Sequence, residues 1–275
     1  MFLDVSLPLA LFLITASTLF FYTRIGKKLK SLLGGKELTT GHTVLLVVAM
    51  GAMVTILGWT IIQIPDMAIM VLFLYAYSMV LFLFTFLVVP ESYSGFARTQ
   101  LAVLVPALFI GVYALFRHTY LWELYLLNFF AVVFAISISV YMGGLFSWKT
   151  TAIFVVLLTF MDLIQVFVTR FMVESSRRMV ALQLPVMIIV PTFPSEGYIL
   201  LGLGDIFLSG LLSIQTVQKY GRRFGFASVL TIALVFLLLE TFLINSNFEF
   251  FPATVLVVSG WLVALGARYF HKSFL

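Results

Sequence analysis

Nine apolar stretches of about twenty residues follow one another along the chain, and this succession restricts the fold more than any other feature. They run over Leu3–Tyr22, Thr43–Ile64, Met67–Val89, Thr99–Phe116, Leu121–Met142, Trp148–Thr169, Tyr198–Gln218, Phe226–Ile244 and Phe250–Phe270. A helix of that length matches the hydrocarbon thickness of a bilayer. Charged residues are only 10% of the 275, against roughly 25% in a soluble domain. Hydrophobic residues are 63%, more than a water-soluble chain could bury. The expectation is an all-α membrane protein with nine transmembrane helices in one domain over residues 1–275. Residues 1–147 carry the first five helices, 148–219 helices six and seven, and 220–275 helices eight and nine.

The connections are short except for Arg170–Gly197. The first stretch lacks the basic leader of a signal peptide and is followed by Arg24, Lys27, Lys28 and Lys30, which predicts an uncleaved first helix. With the N-terminus outside, 12 of the 16 basic residues fall on the inner face and 4 on the outer. The positive-inside rule favours that orientation, with a cytoplasmic C-terminus in a cell membrane. The net charge of +5 does not point to nucleic acid, because the basic residues lie between spans. The chain has no cysteine, which removes disulfides and thiolate chemistry.

Three acidic residues fall inside expected spans: Asp162, Asp205 and Glu240. A carboxylate in mid-membrane is disfavoured by ~2.5–3.5 kcal/mol on insertion scales, so such residues usually have a task. Glu240 lies four residues from the end of its stretch, near enough for its side chain to reach the interface. Asp162 and Asp205 have no basic partner on their own helices. Asp162 precedes Arg170 by eight residues and Asp205 follows Tyr198 by seven. At ~1.5 Å per residue these depths are ~12 and ~10 Å from the outer ends, on antiparallel neighbours. The two carboxyls are placed to meet.

Around Asp205 the sequence reads Gly202-Leu203-Gly204-Asp205. Alone, a small-x-small pattern is a helix-packing device; beside a buried Asp it also lets another backbone come close. Phe251-Pro252-Ala253-Thr254 opens the ninth stretch from the same outer side. Proline there is an ordinary helix start, but it lies on the membrane side nearest both aspartates.

An Asp in the sixth of nine spans, GLGD in the seventh and Pro-Ala opening the ninth resemble the GxGD intramembrane aspartyl proteases. That family includes presenilin, signal peptide peptidase and archaeal presenilin homologues, and the likeness is strongest to the archaeal members. The segment from Met161 through Phe171–Arg177 is similar to the presenilin stretch after its sixth-span Asp. Two positions depart from the pattern. Met161 stands where the family has Tyr, and Thr254 replaces Leu, adding a hydroxyl. The resemblance implies a presenilin-like fold and a catalytic pair, Asp162 and Asp205. It further implies substrate contacts from Gly202, Leu203, Gly204, Pro252, Ala253 and Thr254, with no cofactor or metal. The expected partners are transmembrane peptide substrates and the lipid bilayer, with no obligatory protein cofactor and room for a homo-oligomer.

Such a pair works with one carboxyl ionised and one protonated. A substrate helix must also unwind. Val186-Met187-Ile188-Ile189-Val190, between Pro185 and Pro191, reads as a short strand before the seventh span that could pair with unwound substrate. On pattern alone it could equally be a packed loop. A proton- or cation-coupled transporter remains the alternative, since it too places carboxylates in mid-membrane. Such a transporter usually shows a repeat between halves, and no second copy of the Asp segments is found. His42, His118 and His271 lie in or beside loops and no H-E-x-x-H occurs, which disfavours a zinc or Ser–His protease within the membrane.

Overall fold

A computed structural model describes residues 3–59, 64–90, 92–192, 197–246 and 251–273. The helices are α1 (Ser6–Leu32), α2 (Thr40–Gly58), α3 (Asp66–Val88), α4 (Gly95–Phe116), α5 (Leu127–Leu145) and α6 (Trp148–Leu163). They are followed by α7 (Phe171–Ala181), a hairpin of β1 (Met187–Pro191) and β2 (Tyr198–Gly202), α8 (Leu203–Tyr220), α9 (Arg222–Asn245) and α10 (Ala253–Ser273). A π-helical turn, Trp122–Leu126, leads into α5, and another, Ile164–Val168, continues α6. Among the described residues, eight helices are long and apolar enough to cross a membrane: α1 to α6 with their π-turns, α9 and α10. The chain is a helical, multi-pass membrane protein, and its described residues include a small two-stranded sheet.

The expected seventh span, Tyr198–Gln218, needs correction. Its first five residues are β2, and only from Leu203 does the chain turn helical. The apolar run Tyr198-Ile199-Leu200-Leu201 suits a strand as well as a helix, and pairing with β1 decides the outcome. The helix that follows, α8, falls outside the set of apolar spans because it is the axis of the bundle. It packs against α1, α5, α6, α9 and α10, and every residue from Asp205 to Thr216 is buried. A helix enclosed by protein can carry polar side chains that find partners, and those of α8 largely do, although Ser213 Oγ has none among the described residues. Ser209 shares a hydrogen bond with Thr15 at 3.0 Å. Gln215 donates to the carbonyls of Gly143 and Phe146 at 3.2 and 2.8 Å. Trp261 donates to the Thr216 hydroxyl at 2.9 Å.

Close approach of α8 and α5 depends on missing side chains. A Cβ on Gly210 would lie 2.8 Å from Ser139, and one on Gly143 would lie 2.7 Å from Ile214. Such contacts bring two backbones together without a hydrophobic driving force from the lipid. The aromatic cluster of Tyr77, Phe109, Tyr113 and Trp122 joins α3 and α4 to the start of α5. α2 ends at Gly58, with Trp59 extended as its C-cap, and Phe171 of α7 packs directly on that glycine; residues 60–63 of the expected stretch lie outside the described residues. α7, inside what reads as a loop, is amphipathic. It turns Ser175 and Met179 inward, and its Arg178 pairs with Asp66 at 2.9 Å. Glu240, four residues from the end of its expected stretch, is 7% exposed, and its Oε2 has no hydrogen-bond partner among the described residues.

Candidate aspartate site

Three helix ends meet at the site. α6 is started by a capping box, in which the Ser147 N–H donates to Thr150 Oγ1 at 2.9 Å and the Thr150 N–H to Ser147 Oγ at 3.4 Å. Sixteen residues of helix then carry Asp162 to the last turn, just before the π-turn. α8 starts where β2 ends, with Gly202 as its N-cap, which puts Asp205 in the first turn. α10 begins at Ala253 immediately after Pro252, so Thr254 is its second residue.

The side chains converge. The Thr254 hydroxyl donates to Asp162 Oδ2 and lies 2.9 Å from Asp205 Oδ1. All three are buried, Asp162 at 6%, Asp205 at 7% and Thr254 at 2% exposure. Asp162 and Asp205 therefore share one partner, as their matched depths along the chain suggest. No group of three or more His, Cys, Asp or Glu that could hold a metal occurs among the described residues.

The remaining expected residues divide by what they touch. Gly202 faces the Asp205 carboxyl, whereas Gly204 has no atom beyond its own neighbourhood within 4 Å of where a Cβ would be, among the described residues. Leu203 is buried, and its N–H donates to the Val186 carbonyl at 3.0 Å. Pro252 is buried and accepts from the Val255 N–H at 3.1 Å; Ala253 is half-buried. Met161 packs over Gly51 of α2, where a Cβ would lie 2.8 Å from its Sδ.

The strand expected at Val186–Val190 is present one residue further on, as Met187–Pro191. Its pairing is internal: β1 runs antiparallel to β2 with Ile189 opposite Leu200. On its other side the Asn128 carboxamide donates to the Ile189 carbonyl at 2.8 Å and accepts the Ile189 N–H at 2.8 Å. Sequence reading missed this residue; its one signal was an amide among apolar neighbours in the fifth stretch. Ile189 thus points its backbone groups away from β2. By the alternation of antiparallel ladders, Leu200 opposite points its own N–H and C=O away from β1. Bonds beyond the strand ends keep the same phase, from the Leu203 N–H to Val186 and from the Thr192 N–H to the Gly197 carbonyl. Hence the edge without hydrogen-bond partners among the described residues belongs to β2, at Tyr198, Leu200 and the Gly202 N–H, and it runs straight into the helix bearing Asp205.

No protein-family model and no curated protein sequence matches this chain.

Proposed function

We propose that the chain is an intramembrane aspartyl endopeptidase that hydrolyses peptide bonds within transmembrane segments, with Asp162 and Asp205 as its catalytic pair. The observation that carries the reading is the convergence of two buried carboxyls from different helices on one hydroxyl, beside a strand edge that continues into one of those helices. In this reading α8 is a ninth spanning helix and the plan is presenilin-like. The charge asymmetry favours an N-terminus outside and a site toward the outer leaflet.

The reaction follows from the pair. The ionised carboxylate takes a proton from water as the water oxygen bonds to the scissile carbonyl carbon, and the protonated carboxyl gives its proton to the carbonyl oxygen. Collapse of the resulting gem-diol breaks the C–N bond. The amine nitrogen receives the proton taken from water, and the second carboxyl recovers its own. A substrate helix unwound into an extended segment would add to β2 by backbone pairing, with its scissile bond led toward Asp205. In this reading Leu203, Gly204, Pro252 and Ala253 border the path of the substrate.

The test is cleavage of a synthetic transmembrane peptide by the purified protein in lipid, with Asp162→Asn and Asp205→Asn beside it. Cleavage products that vanish in both variants support the protease. Robust cleavage in either variant excludes the pair. Ion flux lost in both variants, without proteolysis, identifies a coupled transporter instead.

A further inference from the structure

We propose that the Thr254 hydroxyl is a proton bridge that holds the two aspartates in the singly protonated state before any substrate arrives. The inference rests on reading the site as a hydrolytic pair, and it assigns to Thr254 a positioning role rather than a substrate contact.

The argument is a count of hydrogens. A threonine hydroxyl has one hydrogen to donate and two lone pairs to accept with. Its oxygen lies within hydrogen-bond distance of one oxygen on each carboxyl. It can donate to one of them only. The second contact is a hydrogen bond only if the other carboxyl supplies the hydrogen. One proton on the pair therefore satisfies the whole chain, from the protonated carboxyl to the Thr254 oxygen and from the Thr254 hydrogen to the carboxylate.

The other two protonation states leave a group unsatisfied. With no proton on the pair, the hydroxyl oxygen faces a carboxylate oxygen with no hydrogen between them. With two, either the hydroxyl accepts from both carboxyls and its own hydrogen goes unused, or it donates to one carboxyl's carbonyl oxygen and that carboxyl's own proton finds no acceptor within the cluster. Both faults would lie among side chains 2–7% exposed, where water does not readily compensate. The bridge thus favours the form in which one carboxyl can act as base and the other as acid. A leucine side chain at this position has no hydroxyl with which to do so.

The experiment reads protonation directly. Protein with isotope-labelled aspartate, in lipid, is titrated by infrared spectroscopy of the carboxyl bands. Asp162→Asn and Asp205→Asn separate the site's bands from those of Asp4 and Asp66, the other aspartates in the chain. Wild type should show one protonated carboxyl in the pair over a broad pH range. In Thr254→Val, which keeps the shape and removes the hydroxyl, that range should narrow by ~1–2 pH units, and the pH profile of peptide cleavage should narrow with it. Thr254→Ser should keep the wild-type range. Should Thr254→Val fail to fold, Thr254→Ala removes the same hydroxyl.

An unchanged range without the hydroxyl overturns the bridge, as does a wild-type pair that is doubly protonated or fully ionised at neutral pH. If wild type cleaves no peptide at any pH, the protease reading fails, while the infrared titration still decides whether Thr254 holds the proton.

Discussion

Gly202 stands directly against Asp205: a Cβ on it would lie 3.3 Å from Asp205 Oδ2, closer than ordinary van der Waals contact. The backbone of Gly202, at φ −64° and ψ 142°, suits any residue, so only the carboxyl's need for space argues for glycine. Gly202→Ala should therefore leave thermal stability near wild type while displacing the carboxyl by a few tenths of an ångström. Cleavage should fall roughly tenfold, since misplacement by 1 Å costs about 10²-fold. Full activity in a folded Gly202→Ala protein would remove this role.

Gly204 makes the contrasting case. It lies in the first turn of α8, and a Cβ there meets nothing within 4 Å among the described residues. Gly204→Ala should be neutral or stabilising for the fold, by up to ~1 kcal/mol from helix propensity. If substrate backbone fills the space, cleavage should nevertheless drop, and Gly204→Leu should lower it further. Melting temperature and peptide cleavage measured together separate the two effects.

Asp162→Asn and Asp205→Asn should each lower cleavage by ~10²–10⁴-fold or more, the scale of general acid–base catalysis. The double variant should be little worse than either single one, because groups that act as a unit are not additive. Two separate, multiplying losses would mean that the carboxyls do not share one reaction.

The two strands should respond differently to proline. At Leu200 proline removes an outward-facing N–H and leaves the β1–β2 ladder intact. At Ile188 it removes a donor that bonds across to Leu201. Leu200→Pro should therefore depress cleavage of a long transmembrane peptide with little loss of stability, whereas Ile188→Pro should lower both. Unchanged cleavage in Leu200→Pro would rule out substrate pairing on the β2 edge.

Asn128→Ala leaves the N–H and carbonyl of Ile189 without their partners on the α5 side. A buried group stripped of its hydrogen bond is destabilising by about 1–3 kcal/mol. Thermal unfolding in detergent should register that loss, and an unaltered melting temperature would show that solvent replaces the carboxamide.

Eight of the expected spans were legible because lipid-facing helices must be apolar over their whole length. The end of α8 was read closely, at Gln218 against Tyr220, even though a helix walled in by protein carries serines, a threonine and glutamines; its start was not. β2 was hidden inside the same apolar run for want of any marker but its partner. The depth of the two aspartates followed from counting helical rise, yet Thr254 as their shared partner needed α10 placed against α6 and α8. Distance from the helix end located Glu240 along α9 but said nothing about which neighbours bury it. α7 escaped because its eleven residues are polar on one side and too few to suggest a span.

β2 passes into α8 without a single intervening residue, and Gly202 is both the last position of the strand and the cap of the helix. For the proposed protease this makes the hairpin a ruler. A guest strand held by main-chain bonds takes its register from the edge, at ~3.3 Å per residue, and not from the identity of its side chains. The bond presented to Asp205 is then selected by how far it lies from the first paired residue. Sliding the same guest by two residues, which preserves its pairing, moves the cut by two, so products should come in ladders with that spacing.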